Sequence, residues 1–337
     1  MIGLVAMLLV IAAFSSARAE YKYVYKMRVL VEAKYGDGAD EFGQKDWGAG
    51  PMGAICFDVD AAGNVYICDG PKGDVKVYDR EGAYRRTVKA LPWIVGGQML
   101  ADIGAGPTGA IYLAVEGGGG DDRTRLYSIS PDGEQMMQLP FVLGSGMATK
   151  DGIQSFLGIV RLTADISGDV YLGYVYVADS WPGRSMRVVK SGKAVAVGDQ
   201  LASLRPGWPS KWGLWVVDHG LRMRKPGPRG ISVYGSDGRL KSRLTQLSGA
   251  ISGTDSSGCV YERTAGPRGD SEWASWMNVI SPRGVLDARI ELPKILGCWY
   301  AVGKGKECLV GLDGSVYSLS EGDDRVRVYI WERSPAR

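Results

Sequence analysis

The side chains with the most chemical potential in this sequence are carboxylates. Asp58, Asp60, Asp69, Glu116, Asp165, Asp179 and Asp255 each stand beside a strand-like segment. If those segments surround a common axis, several oxygens converge on it and would hold a hard divalent cation such as calcium. On that reading Asp69, Glu116 and Asp179 are the candidate metal ligands, and the protein would be a metal-assisted hydrolase or lyase. The competing role for an Asp at a strand end is to cap a turn or to pair with a neighbouring Arg. Other chemistry is scarce. The chain has one histidine, His219, whereas catalytic triads and zinc hydrolase sites mostly need imidazoles. With no second imidazole or cysteine near it, His219 reads as a turn or interface residue. No GxSxG elbow, P-loop, HExxH, EF-hand loop or N-x-[ST] sequon occurs. Gly48–Gly53 and Gly104–Gly109 both spell GxGxxG, but each is followed by an alternating strand pattern instead of a helix start, so these are turn glycines.

Basic residues form a second set. Gly70-Pro71-Lys72-Gly73, Gly227-Pro228-Arg229-Gly230 and Gly266-Pro267-Arg268-Gly269 share one loop design. Trp181-Pro182-Gly183-Arg184 is a variant, and Arg123 and Arg325 sit in near-identical Gly-Asp-Asp-Arg stretches. Together with Trp181, Trp273 and Trp276 these residues have the composition of a recognition surface for a protein, peptide or glycan. The alternative is a ring of surface ion pairs with the interleaved Asp residues, which contribute little energetically. The tract Trp208–Trp215 lies between repeats, and its tryptophans either pack between structural units or stack on a ligand.

What would position these loops is a repeat. Gly63-Asn64-Val65-Tyr66, Gly109-Ala110-Ile111-Tyr112, Gly168-Asp169-Val170-Tyr171, Gly258-Cys259-Val260-Tyr261 and Gly314-Ser315-Val316-Tyr317 place a β-branched and an aromatic residue after a turn glycine. A degenerate copy, Gly220-Leu221-Arg222-Met223, falls in the widest gap. Downstream of most copies a second alternating strand runs into another Gly turn, as in Val75–Tyr78 before Gly82. The pattern predicts an all-β fold, a six-bladed β-propeller of four-stranded antiparallel blades. The last blade lacks an outer strand, and Tyr21 to Val31, which has no repeat of its own, is expected to supply it.

At these residues the chain resembles the NHL-repeat family of six-bladed propellers, with Pro51 to Val88 the closest match. The third copy carries an extra Tyr174-Val175-Tyr176 and the fourth departs from Val-Tyr. The resemblance implies a fold; because the family includes scaffolds, lyases and hydrolases, it implies no single activity. Members with lactonase or lyase activity hold a divalent metal in the central channel.

Composition sets outer bounds. Forty Lys plus Arg against 37 Asp plus Glu give a net charge of +3, which argues against a polybasic nucleic-acid binder. Gly is abundant (49) and Tyr (17) and Trp (10) outnumber Phe (5), which suits short strands and tight turns. Leu4 to Phe14 is an apolar run too short to span a bilayer, and Ala17-Arg18-Ala19 has the small-x-small form of a signal peptidase site. Residues 1–19 are therefore expected to be a cleaved signal peptide, and 20–337 a single periplasmic or secreted propeller domain with no transmembrane segment. Of the five cysteines, Cys56 and Cys68 flank one turn, Cys298 and Cys308 flank another, and Cys259 stands apart. Bridges and buried thiols both remain open. The leading expectation is a binding scaffold without catalysis or cofactor; the alternative is the metal enzyme.

Overall fold

The computed structural model describes residues 21–46, 51–90, 99–116, 125–140, 146–149, 152–176, 184–203, 205–218, 229–268, 272–292, 308–322 and 324–336. Its basic unit is a turn. At the six turns that join first to second strands an N–H three residues on closes back to a carbonyl, as Gly63 does to Asp60 and Gly258 to Asp255, both at 3.1 Å. The closing glycine takes a φ near +80°, which a side chain would resist. The turn's first side chain fastens it. Asp60 accepts from the N–H groups of Ala62 and Asn64, Asp165 from Ser167 and Asp169, and Asp255 from Ser257 and Cys259, all at 2.9–3.0 Å. Turn capping is therefore what Asp60, Asp165 and Asp255 do.

Such turns cut the chain into six antiparallel sheets arranged as a propeller. Blade I is Ala54–Val59, Val65–Asp69, Asp74–Tyr78 and Tyr84–Lys89. Blade II is Met99–Ala105, Ile111–Glu116, Arg125–Ile129 and Met136–Gln138. In blade III, Gly152–Ala164, Val170–Tyr176 and Arg184–Lys190 are flanked by two short outer pieces, Lys193–Ala194 and Arg205–Pro206, on either side of the helix Val197–Ala202. Blade IV is Trp208–Pro209, Trp215–Asp218, Arg229–Tyr234 and Leu240–Leu247; blade V is Ala250–Thr254, Val260–Arg268, Glu272–Ile280 and Leu286–Leu292. Blade VI combines Cys308–Val310, Val316–Glu321 and Arg325–Pro335 with the N-terminal strand Tyr23–Lys34. That strand pairs antiparallel with the last one, from Tyr23 opposite Pro335 to Lys34 opposite Arg325. The expected closure is present and runs three residues beyond Val31.

One repeat needs correcting. The fourth inner turn is Ser210–Gly213, so the fourth copy is Gly213-Leu214-Trp215-Val216, while Gly220–Met223 lies outside the described residues. Here the bulky residue precedes the β-branched one, and a search for the opposite order passes over it. The tract Trp208–Trp215 is thus the start of blade IV instead of a linker.

The core lies between blades. Tyr66, Val75 and Val77 of blade I pack on Ile103, Ile111 and Leu113 of blade II, and equivalent buried clusters join II to III, IV to V, V to VI and VI to I. Between blades III and IV, Tyr171 meets Trp215 edge to face at 5.7 Å. Cys56 stands directly opposite Cys68 across two strands; both are buried, with no disulfide between them. Cys259 and Cys308 are also buried thiols, and burial pushes Cys308 up to about 11. Cys298 lies outside the described residues.

Candidate functional site

The innermost strands surround an axis, and four charged side chains near it, Asp58, Asp102, Arg161 and Lys211, link one blade to another. Asp58 of blade I accepts from Val59 N–H at 2.9 Å through Oδ1 and from Ala105 N–H of blade II at 2.7 Å through Oδ2. Asp102 of blade II repeats the device, taking Ile103 N–H at 2.8 Å and Leu162 N–H of blade III at 2.6 Å. Each carboxylate therefore staples one blade to the next with charge-assisted bonds. Arg161 of blade III donates from Nη2 to the Ser252 carbonyl of blade V at 3.3 Å. Burial works against its charged form, and the charges of Asp102 and then Asp58 oppose that loss. Lys211 of blade IV lies 2.6 Å from Asp58 Oδ2.

The turn carrying Lys211 reaches across to neighbouring blades. Ser210 accepts from the Trp212 and Leu214 N–H groups and fixes the turn. The Lys211 carbonyl accepts from Ile166 N–H of blade III at 3.0 Å, and Trp212 Nε1 donates to the Val310 carbonyl of blade VI at 3.1 Å. One turn thus touches three other blades. Behind it is a cavity of about 40 Å3, lined by Asp58, Arg161, Lys211, Trp212, Thr254 and Val310 among others. Among the described residues, no three His, Cys, Asp or Glu side chains come together as a metal site.

At the opposite end stand the connections between second and third strands. The backbone places Arg184, Arg229 and Arg325 at the starts of third strands in blades III, IV and VI. Arg268 ends a second strand opposite Glu272, with Trp273 next to it opposite Pro267. Arg123, Trp181, Asp179 and His219 lie outside the described residues, and Glu116 ends a blade II strand.

Two basic residues at this end have structural partners. Lys72 donates to the carbonyls of Gly38 and Glu41, 3.1 and 2.8 Å away, in the segment that crosses from the N-terminal strand to blade I. Arg325 pairs with Glu32 at 2.8 Å and with Asp324 at 2.5 Å. Asp69 is fully buried and accepts from the N–H groups of Gly43 and Lys72, with the equally buried Lys76 ammonium 3.6 Å away. Burial raises the Asp69 pKa and lowers that of Lys76. Lys76 also donates to Ala39 at 2.9 Å, so Asp69 and Lys76 anchor the crossing segment. Trp276 is half-buried, with the Arg289 guanidinium 4.3 Å from its ring centre.

Sequence reasoning missed Arg161, Lys211 and Asp102. Arg161 had a visible signal, a lone cation within the otherwise uncharged stretch Leu157–Thr163. Lys211 becomes legible only once the fourth turn is placed at Ser210–Gly213.

Known proteins match this architecture in shape alone. A member of the DUF4221 family from Bacteroides vulgatus superimposes with a TM-score of 0.51 at 10% identity, over 94% of this chain and all of that one. Lower scores are found for oligogalacturonate lyase in complex with manganese (0.49, 8% identity, 83% of this chain and 77% of that chain). The PQQ-bound aldose sugar dehydrogenase from Streptomyces coelicolor scores 0.44 at 12% identity, covering 92% of this chain and 99% of that chain. No protein-family model matches the chain, and no curated protein matches it by sequence. The fold is that of a six-bladed β-propeller.

Proposed function

We propose that this chain is an NHL-like binding propeller, exported by its first 19 residues, that recognises a protein, peptide or glycan at the end where second and third strands connect. The observation that carries this reading is the channel. Where the metal-enzyme alternative needs carboxylates free to converge on a cation, Asp58 and Asp102 accept backbone N–H groups of neighbouring blades. Arg161 and Lys211 line the same space, and a positively charged lining repels a divalent ion. Of the expected contacts, Arg123, Arg184, Arg229, Arg268, Trp181 and Trp273 carry the proposal. Lys72 and Arg325 have partners within the chain and are assigned to holding the blades.

Such a surface mixes basic and acidic side chains, so it suits an anionic or mixed-charge partner with an apolar group for the tryptophans. The test is a screen of the purified protein on peptide and glycan arrays, followed by affinity measurement for any hit. The double change Arg229→Ala, Arg268→Ala is expected to weaken binding about tenfold or more, while the melting temperature moves by no more than about 2 °C. Unchanged affinity would place the site elsewhere.

A further inference from the structure

The channel cavity has a chemical imbalance that the binding reading does not use. Its carboxylates are engaged: both Asp58 oxygens accept N–H groups, and Oδ2 faces Lys211 as well. Two hydrogen-bonding groups in the same space are not engaged. Arg161 Nε and Thr254 Oγ1 are buried atoms with no hydrogen-bond partner among the described residues, although Thr254 is only 1% exposed. Arg161 Nε can only donate, and the Thr254 hydroxyl can donate too. Buried donors left unmet cost about 1–3 kcal/mol each, and more for a charged group. The space therefore calls for an acceptor, and because two of its three charged lining residues, Arg161 and Lys211 against Asp58, are cations, one with negative charge is favoured.

Size limits the choice. At about 40 Å3 the cavity has room for about three water positions, the extent of a carboxylate group or a halide ion. A phosphate ester or a sugar would not fit behind Trp212.

We infer that blades III, IV and V form a site for a compact monovalent anion, carboxylate or halide, held by Arg161 Nε and Thr254 Oγ1 with Lys211 supplying charge. The anion accepts from the guanidinium and the hydroxyl. Its binding would tie blade III to blade V beneath the Lys211–Trp212 turn, so it acts on the stability of the ring. This site is independent of the partner surface, and its test needs no partner.

The experiment is thermal melting of the full chain in sodium acetate, sodium bromide or sodium gluconate at equal ionic strength, where gluconate is too bulky to enter. Acetate and bromide at about ten times their dissociation constants should raise the melting temperature by about 2–4 °C over gluconate. Thr254→Val, which keeps shape and charge and should fold, is expected to lose most of that difference. Bromide-soaked crystals should show anomalous density between Arg161 and Thr254. A rise in acetate without one in bromide, or the reverse, would decide between the two anion types. Equal melting in all three salts would overturn the site, as would an anion effect undiminished in Thr254→Val or bromide density found only elsewhere.

Discussion

The two ends of the channel are built on different principles. At the turn end, six short turns share one geometry, and their polar side chains serve the fold: Asp60, Asp165, Ser210 and Asp255 hold turn N–H groups, and Lys211 and Trp212 bridge blades. At the other end the connections differ in length and residue type from blade to blade. Blade I's is covered by the segment following Lys34, through Lys72 and the buried Asp69–Lys76 pair. Strands and turns must repeat to pack, so variation concentrates where repetition is not required, and the proposed recognition is placed there.

That contrast breaks most readily at the closure, which leads into the covering segment. Removing residues 21–31 deletes most of the strand opposite Trp331 and Ile330 and leaves a bare edge on blade VI. Aggregation or loss of cooperative melting is expected, read by light scattering and calorimetry; an unaltered melt would mean that the ring does not depend on this strand. Next in size is Trp212→Ala. It removes a nearly buried indole and its bond to Val310, at a cost of about 3–5 kcal/mol in chemical denaturation, yet partner affinity should stay within about twofold. A large loss of affinity without loss of stability would move recognition to the turn end.

The smallest effect is electrostatic. Hydrogen bonds from Arg327 and then Arg325 hold the Glu32 carboxyl below its ordinary range. Because the folded value is depressed, its contribution is present above the unfolded pKa and disappears as pH falls through the folded one. Glu32→Gln should therefore lower the neutral-pH plateau slightly and leave stability at the acid end unchanged, flattening the acid limb of a stability–pH profile. An identical acid limb would show that the pair is screened out.

Much of the fold was legible in the sequence, because a Gly with positive φ followed by β-branched and aromatic residues is imposed by the turn itself. Closure by the N-terminal strand followed from a missing outer strand. The fourth copy was misread because Trp215-Val216 reverses the usual order of bulk, and with it the bridging turn at Lys211–Trp212 was hidden. The channel charges were harder still. Asp58 looked like a free carboxylate beside a strand, and only the position of the next blade shows that Ala105 N–H claims it. Likewise Lys72 looked like a surface contact until the crossing segment supplied its carbonyl partners. Side chains whose partners lie a blade away carry no local signature.

The claim that separates a binding propeller from a metal enzyme is that the channel is lined by cations and spanned by blade IV's turn. It is tested most directly by calorimetric titration of calcium and then manganese into metal-free, full-length protein, alongside Asp58→Asn. No saturable one-to-one binding in either protein is the expected result. A stoichiometric site that disappears in Asp58→Asn would contradict it and return the channel to metal chemistry.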